Sequence, residues 1–277
     1  VYMGSDANTG YINGEIDDIR VYNRNLAQSE ILALSSYHPM QLASWNPSIG
    51  SSSLKLHLQA DALSNLANNA VVTTWTDSAG GLQGTANGSP TFISNGINHR
   101  PAVNFVSASS QYFNFTGSVA QSSASSLFVV FQKDNVGFAG SLLTNMGMAG
   151  LYEWYFDVTN KFMIAKNGVS SMVLSNAFVN TTNPYLVSIL HNQPTNTGRV
   201  YSSETDVFES GTFNQVPSGT PTNFNLGAPT CLCGFTFFSG KISELLLFHQ
   251  ELSNTDRLLL SCYLSAKYNI PVNAICP

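Results

Sequence analysis

Short apolar stretches, each ended by turn-forming residues, recur along most of this chain and constrain its fold more than any other feature. Alternating apolar and polar side chains over four to eight residues predict a β-strand with one buried face. The clearest strands are predicted over 54–58, 71–75, 102–105 and 127–131, and further ones over 151–157, 161–166, 185–191, 198–202, 222–226 and 241–248. This pattern favours an all-β fold, a two-sheet antiparallel jelly-roll sandwich.

One convincing helix is predicted, and it follows the last strand. Ser253 and Asp256 form a variant of the capping box, in which a side chain at the helix start satisfies a free backbone N–H group. Apolar residues then recur at helical spacing, namely Leu259, Tyr263, Leu264 and Tyr268, before Pro271 ends the run. The sandwich is therefore expected to carry a short C-terminal helix.

Composition excludes several classes of partner. Only 10% of the 277 residues are charged, and the 11 Lys and Arg residues are scattered singly in a chain of net charge -5. Such a chain offers no basic stripe for nucleic acid, and no apolar window is long enough for a membrane span. Its solubility must come from uncharged polar residues, a style that suits a secreted or cell-surface, extracytoplasmic protein.

The chain repeats one element. Residues 237–260 align without a gap on residues 11–34, so that Gly240 corresponds to Gly14 and Ile242 to Ile16, at a constant offset of 226 residues (240 minus 14). Self-similarity at a fixed period indicates repeated structural units, and this period suits a whole sandwich domain. We therefore predict that 1–35 are the final strand and helix of an upstream domain, that 36–51 are a linker, and that 52–277 are one complete domain. Processing or truncation upstream of Val1 is expected.

Several motifs, in order, carry a family resemblance. The segment "VVTTWTDSAGGLQGTA" is followed by "PTFISNGINHRPAVNFVSASSQYFNF", and the chain closes with "GKISELLLFHQELSNTDRLLLSCYLSAKYNI". Together they resemble a bacterial laminin G-like domain of the concanavalin A-like lectin and glucanase superfamily, over about 50–270, and "GEIDDIRVYNRNLAQSEI" resembles the same closing element. The usual Asp-Gly turn is replaced by Val106-Ser107-Ala108, which removes one carboxylate. The resemblance implies a recognition or spacer module of large extracellular proteins and no particular reaction.

A catalytic role is not expected. Laminarinase-type hydrolases of this superfamily carry Glu-x-Asp-x-x-Glu along one strand, and "EIDDIR" begins with that pattern. Glu15 and Asp17 share a strand face about 6.6 Å apart, but the third acidic position is Arg20, and the repeat copy at 241–244 loses the pair. The five histidines are isolated in sequence and support no site.

A ligand-binding surface is predicted in "LYEWYFDV". Glu153 and Asp157 share one strand face, but they lie near 13 Å apart along the strand, too far for a glycosidase pair. With Tyr155 between them they could offer a polar platform to a sugar or a protein. The alternative is that they are ordinary solvated strand residues.

Calcium is the one cofactor considered. Laminin G-like domains often hold one Ca²⁺ at a sheet rim through hard oxygen donors, and the resemblance points to Asp61 and Asp77, both at strand-to-loop transitions. Asp77 suits equally well a turn in which its side chain accepts hydrogen bonds from Ser78-Ala79-Gly80.

All four cysteines, Cys231, Cys233, Cys262 and Cys276, lie near the C-terminus. An even number of cysteines in a polar, secreted-type chain suggests disulfides. Cys231 and Cys233 are poor partners for each other because they lie two residues apart on a predicted strand. Two pairings remain, each tying this strand to the terminal helix and tail, and a zinc site is the alternative.

Three functional hypotheses from different classes follow. The first is a non-catalytic recognition or adhesion module of a multidomain surface protein, binding a glycan or a protein. The second is a structural subunit of an extracellular filament, sheath or surface layer, in which residues 1–50 contact neighbouring domains or subunits. A divergent glycoside hydrolase is the third and least favoured reading.

Overall fold

The structure is a computed structural model that describes residues 22–25, 52–117, 124–135, 140–146, 152–156, 162–166, 169–173, 182–192, 195, 197–202, 209–212, 223–229 and 236–272. For 145–146, 152–153, 162–166, 169–173 and 209–212 only the backbone is described. The chain divides into two compact units, Val1–Gln41 and Leu42–Pro277, and the architecture below is that of the second unit.

Strands dominate the described residues. They are β1 Leu54–Gln59, β2 Thr74–Thr76, β3 Gln83–Asn87, β4 Thr91–Ile97, β5 Arg100–Phe105, β6 Tyr112–Thr116, β7 Ala124–Lys133, β8 Gly140–Met146, β9 Tyr152–Phe156, β10 Phe162–Lys166, β11 Val169–Val173, β12 Pro184–Asn192, β13 Thr197–Ser202, β14 Glu209–Thr212, β15 Asn223–Leu226 and β16 Gly240–Phe248. The helix α1 spans Asn254–Tyr268, and short 3₁₀ turns lie at Ala60–Leu63 and Ser107–Ser109.

These strands form two antiparallel eight-stranded sheets, which confirms the predicted jelly-roll sandwich. Sheet 1 has the order β14-β13-β12-β7-β16-β5-β4, with β1 also paired to β16, and sheet 2 has the order β11-β10-β9-β8-β15-β6-β3-β2. Two strands pair with the same edge of β16. β5 pairs with its first three residues and β1 pairs with its second half.

A large apolar core lies between the two sheets. Sheet 2 contributes Trp75, Phe113 and Phe115, and sheet 1 contributes Phe105 and Phe131. The ring of Phe113 meets those of Trp75 and Phe105 edge to face, at centroid distances of 5.7 and 5.8 Å. Such pairs add about 0.5–1.5 kcal/mol each beyond the burial of their area.

A second apolar cluster lies on the outer face of sheet 1, under α1. Phe128, Leu246 and Phe248 of the sheet pack with Leu260 and Leu264 of the helix. Sheet 1 is therefore buried on both faces here, which explains why β7 is a continuous apolar run from Leu127 to Phe131 rather than an alternating one.

The predicted helix start is confirmed. The Ser253 hydroxyl accepts a hydrogen bond from the backbone N–H of Asp256 and donates one to its carboxylate. The helix ends at Asn269, whose φ of 50° places it in the left-handed region that Asn tolerates at a C-cap. None of the helices in the described ranges combines the length and the apolar character that a membrane crossing requires.

A β-bulge in β16 decides which way its acidic residue points. The pairing with β7 shifts between Ile242 and Glu244, leaving Ser243 as an extra residue. In a regular strand, Ile242 and Glu244 would share a face. Because of the bulge, Ile242 and Leu245 belong to the core between the sheets, and Glu244 lies on the helix side.

Candidate functional site

Asp77 forms the turn that its sequence context suggested. It is 1% exposed, and its carboxylate accepts hydrogen bonds from the backbone N–H groups of His57 at 2.6 Å, Ala79 at 2.9 Å and Gly80 at 2.7 Å. These N–H groups present partial positive charge to the carboxylate, as a bound cation would. The carboxylate oxygens of Asp77 therefore already have hydrogen-bond donors.

Asp61, the other predicted calcium ligand, pairs with a lysine. Its Oδ2 lies 2.7 Å from the Nζ of Lys267. Within the described ranges, no group of three or more His, Cys, Asp or Glu side chains is placed to hold a metal ion. Asp61 and Asp77 therefore each have partners within the protein, calcium binding stays a prediction, and no chemistry below depends on it.

The predicted platform on β9 is only partly described. Asp157 lies outside the described residues, and Glu153 is described by its backbone alone. Tyr155 is 5% exposed, so its ring does not face solvent. Glu15, Asp17, Cys231, Cys233 and Cys276 also lie outside the described residues; Cys262, on α1, is disulfide-bonded.

A buried polar cluster, which we call the helix clamp, consists of Glu244, His57, Gln59, Lys267 and Tyr268. Glu244 is fully buried. Its Oε1 lies 2.7 Å from His57 Nε2, and its Oε2 accepts hydrogen bonds from Lys267 at 2.7 Å and from the Tyr268 hydroxyl at 2.8 Å. The Gln59 amide nitrogen lies 2.6 Å from the same nitrogen of His57. The clamp thus ties β1 and β16 to the last turn of α1.

The electrostatics of the clamp favour a permanent ion pair. Burial acts to raise the pKa of Glu244, but the hydrogen bond from His57 and the charge of Lys267 outweigh it and hold that pKa below its ordinary value. Burial acts to lower the pKa of Lys267, but Glu244 and the hydrogen bond to Asp61 outweigh it and raise that pKa. Because Glu244 is closed to solvent, the arrangement suits structural support rather than catalysis.

The outer face of sheet 2 is chemically different, and four neighbouring strands form what we call the polar face. Its members are Thr74 and Thr76 on β2, Gln83, Thr85 and Asn87 on β3, Tyr112, Asn114 and Thr116 on β6, and Asn223 and Asn225 on β15. The alternate residues of these strands, such as Trp75, Phe113 and Phe224, belong to the core. The period of two therefore places every member on the outside.

The strand register arranges these side chains in rows. In the central row, Thr85 lies opposite both Thr74 and Asn114, and Asn114 lies opposite Asn225. Directly opposite side chains on adjacent strands lie about 4.5–5.5 Å apart. The same row continues through Thr144 to Glu153, so the backbone of one predicted ligand residue joins this row three strands away from Asn114.

An aromatic pair borders the polar face. The rings of Tyr112 and Phe237 have centroids 5.9 Å apart and are tilted by 31°. Both residues are half-buried, so each ring keeps part of its surface open to solvent. On β3, Asn87 lies directly opposite Tyr112 and is exposed. An amide therefore stands beside an accessible ring.

The polar face is open at one end and covered at the other. The members on β2 and β3 and Thr116 are exposed, whereas Asn225 is 4% exposed and Thr144 is fully buried. The change occurs at Asn114, which is half-buried and donates a hydrogen bond to Asn225 at 2.8 Å. A ligand would thus lie on β2, β3 and β6 and end against β15.

The residues of the polar face were not predicted from the sequence. Their signal was the alternation in "YFNFT", where Tyr112, Asn114 and Thr116 flank two buried phenylalanines. No strand was predicted over these residues, and a single strand would not reveal that four outward-facing polar sets lie side by side.

Comparison with known proteins shows the fold. No family model matches this chain, and no curated protein matches it. Among solved structures, it resembles a botulinum neurotoxin type C structure from work on cell entry through two ganglioside molecules, with a TM-score of 0.56 and 9% identity over 80% of this chain and 53% of the other. It also resembles domain 4 of AbnA, a GH43 extracellular arabinanase from Geobacillus stearothermophilus, in complex with arabinotriose, with a TM-score of 0.55 and 14% identity over 74% and 96%.

A third similar structure is Trypanosoma rangeli sialidase in complex with sialic acid, with a TM-score of 0.53 and 14% identity over 86% of this chain and 38% of the sialidase. This chain thus spans about half of the neurotoxin chain and well under half of the sialidase chain. At identities this low, the likeness establishes a shared jelly-roll sandwich and leaves activity to be argued from the site.

Proposed function

We propose that the second unit is a non-catalytic, extracytoplasmic recognition module of the laminin G-like type that binds glycan on the polar face of sheet 2. The observation that carries the proposal is the open row of hydroxyl and amide groups beside the Tyr112–Phe237 pair. Binding sites combine apolar and aromatic surface with a few placed polar groups. Sugars match this chemistry, because their hydroxyls bond to amides and their C–H faces pack on aromatic rings.

The solved structures support the same reading. AbnA domain 4 is covered almost completely by the match and was determined with arabinotriose, and the botulinum neurotoxin structure concerns ganglioside interaction. A sandwich of this architecture can therefore present a sugar-binding surface. The disulfide at Cys262 favours an oxidising, extracytoplasmic location.

A non-catalytic role agrees with where the described carboxylates lie. Retaining glycosidases need two carboxyl groups about 5–5.5 Å apart, and inverting ones about 6.5–9.5 Å, on either side of the scissile bond. In the described part of the chain, the polar face offers hydroxyl, amide and phenol groups, and Glu244 and Asp77 are buried elsewhere. The module is therefore expected to hold a glycan without cleaving it.

The test is binding of the full chain to an array of immobilised glycans, compared with Tyr112→Ala and with Tyr112→Phe, which keeps the ring. We expect the wild type and Tyr112→Phe to bind the same glycans and Tyr112→Ala to lose them. Binding should survive EDTA, and the bound oligosaccharide should remain uncleaved after prolonged incubation. Failure of the wild type to bind any glycan at millimolar concentration, or cleavage of the bound sugar, overturns the proposal.

A further inference from the structure

The charge distribution of the second unit narrows the class of glycan that the polar face accepts. Every side chain that we assign to this face is a Thr, Asn, Gln or Tyr. Among the residues of this unit whose side chains are described, the lysines and arginines lie elsewhere, and three of them, Lys267, Arg199 and Arg257, contact Glu244, Glu251 and the ring of Tyr201. In the described part of the molecule, the polar face therefore has no cation of its own to meet an anionic ligand.

The charge of the rest of the chain also disfavours an anionic ligand. The whole chain carries a net charge of -5, which adds a long-range repulsion of anions. Carboxylates and sulfates are recognised by charge-assisted hydrogen bonds from Arg or Lys, which are about twice as strong as neutral ones. The polar face cannot supply such bonds.

A neutral polyhydroxylated ligand meets none of these obstacles. The exposed amides of Gln83 and Asn87 can donate and accept, as sugar hydroxyls can. The hydroxyls of Thr74 and Thr85 on neighbouring strands provide further partners, and Tyr112 provides a ring face. Because all of these groups are uncharged, a neutral sugar does not have to strip water from an ion in order to bind.

From this complementarity we propose that the ligand of the polar face is an uncharged oligosaccharide, lying across β2, β3 and β6 with one residue stacked on Tyr112. Glycans bearing sialic acid, uronic acid or sulfate are rejected. This inference rests on the proposed glycan binding, and it adds to it the substrate class and the binding subsite.

The experiment measures affinity by titration calorimetry with the full chain against two matched panels. One panel holds neutral oligosaccharides of arabinose, glucose, galactose, xylose and mannose, and the other holds sialylated, uronic acid-containing and sulfated oligosaccharides of similar length. We expect binding in the neutral panel alone. The affinity should change by less than about twofold between 20 mM and 500 mM NaCl, because salt screens only charge-charge interactions.

Two substitutions that change the chain's charge equally provide the internal control. Thr85→Lys places an ammonium group in the central row and should weaken neutral binding about tenfold or more. Thr255→Lys places the same charge on the exposed first turn of α1 and should leave affinity within about twofold. Circular dichroism and thermal unfolding check that both variants keep the fold.

The outcomes separate this inference from the proposed function. Binding confined to the anionic panel overturns the neutral-ligand inference and leaves glycan recognition standing. Neutral binding that Thr85→Lys does not weaken overturns the placement on the polar face. Absence of binding in both panels overturns glycan recognition itself, and the inference with it.

Discussion

The outer faces of the two sheets show how one fold separates support from recognition. The outer face of sheet 1 lies under α1, and it buries apolar side chains together with the ionic helix clamp centred on Glu244. The polar face of sheet 2, formed by β2, β3, β6 and β15, in contrast consists of uncharged side chains and is open along β2 and β3. On these two faces, charge is therefore enclosed and partnered, and the groups that meet solvent are neutral and polar. Substitutions on the first face should change stability, and substitutions on the second should change binding.

The largest expected effect is at the centre of the clamp. Glu244→Gln removes the buried carboxylate that His57, Lys267 and Tyr268 contact. Because Lys267 keeps its ion pair with Asp61, we expect a cost of about 3 kcal/mol, the lower end of the range for breaking a buried pair. We expect the free energy of unfolding in urea to fall by that amount. The matched substitution Glu251→Gln, at a partly exposed residue 3.9 Å from Arg199, should cost less than about 1 kcal/mol. Equal losses at the two positions would contradict the structural role of the clamp.

A smaller effect should appear as the pH is lowered, and it also belongs to sheet 1. Burial lowers the pKa of His191 to about 4, partly offset by Glu251. The unfolded chain, with an ordinary histidine pKa near 6.5, then binds more protons between these values, so stability is lost as the pH falls from about 6.5 toward 4. His191→Asn should reduce by about 2 kcal/mol the stability lost between pH 7 and pH 4.5. Retention of the full loss in His191→Asn would contradict this assignment.

The helix cap gives a third and smaller effect. Ser253→Ala removes the hydroxyl that holds the first turn of α1, and such losses cost about 1 kcal/mol. The control is Thr255→Ala in the same turn, since Thr255 is exposed and no cap depends on it. Thermal unfolding of both variants measures the difference. If Ser253→Ala lowered the stability as much as Glu244→Gln does, α1 would depend mainly on its first turn rather than on the helix clamp.

The smallest effect on stability is expected on the polar face. Gln83→Lys places a charge on an exposed strand residue, and such surface changes are usually within about 0.5 kcal/mol. Its unfolding curve should overlay that of the wild type, while its affinity for the glycan falls. A marked loss of stability would mean that the polar face is part of the packing, and the contrast between the two sheets would not hold.

The sequence predicted much of the sandwich because its core strands carry strong patterns. The strands β1, β5, β7, β12, β13 and β16 and the helix were predicted within a few residues, since each is bounded by turn residues and rich in apolar or β-branched side chains. The strand predicted over 71–75 was displaced, because Val71 makes only an isolated bridge to Thr91 and β2 begins at Thr74. The segments "QGTAN" and "ESGT" of β3 and β14 were not predicted. They contain little apolar periodicity and depend on pairing with their neighbours.

The candidate site was harder to predict for a related reason. The turn at Asp77 was foreseen because two of its partners, Ala79 and Gly80, lie within three residues along the chain; the third, the backbone N–H of His57, was not foreseen. The helix clamp was not, because His57 and Glu244 are separated by 187 residues in sequence and meet only through the pairing of β1 with β16. The polar face likewise exists only once four strands lie in register. Non-local arrangement, rather than any unusual residue, defines both.

The position of β16 has a consequence for how the molecule is made. This strand lies between β7 on one side and β5 and β1 on the other, yet it follows every other described strand along the chain. Until β16 is synthesised, each of these three neighbours has one unpaired edge. The helix that covers sheet 1 follows β16 in the chain and is made later still. Sheet 1 is therefore complete only after β16 has been synthesised, and until then the nascent chain exposes strand edges that can pair with other chains.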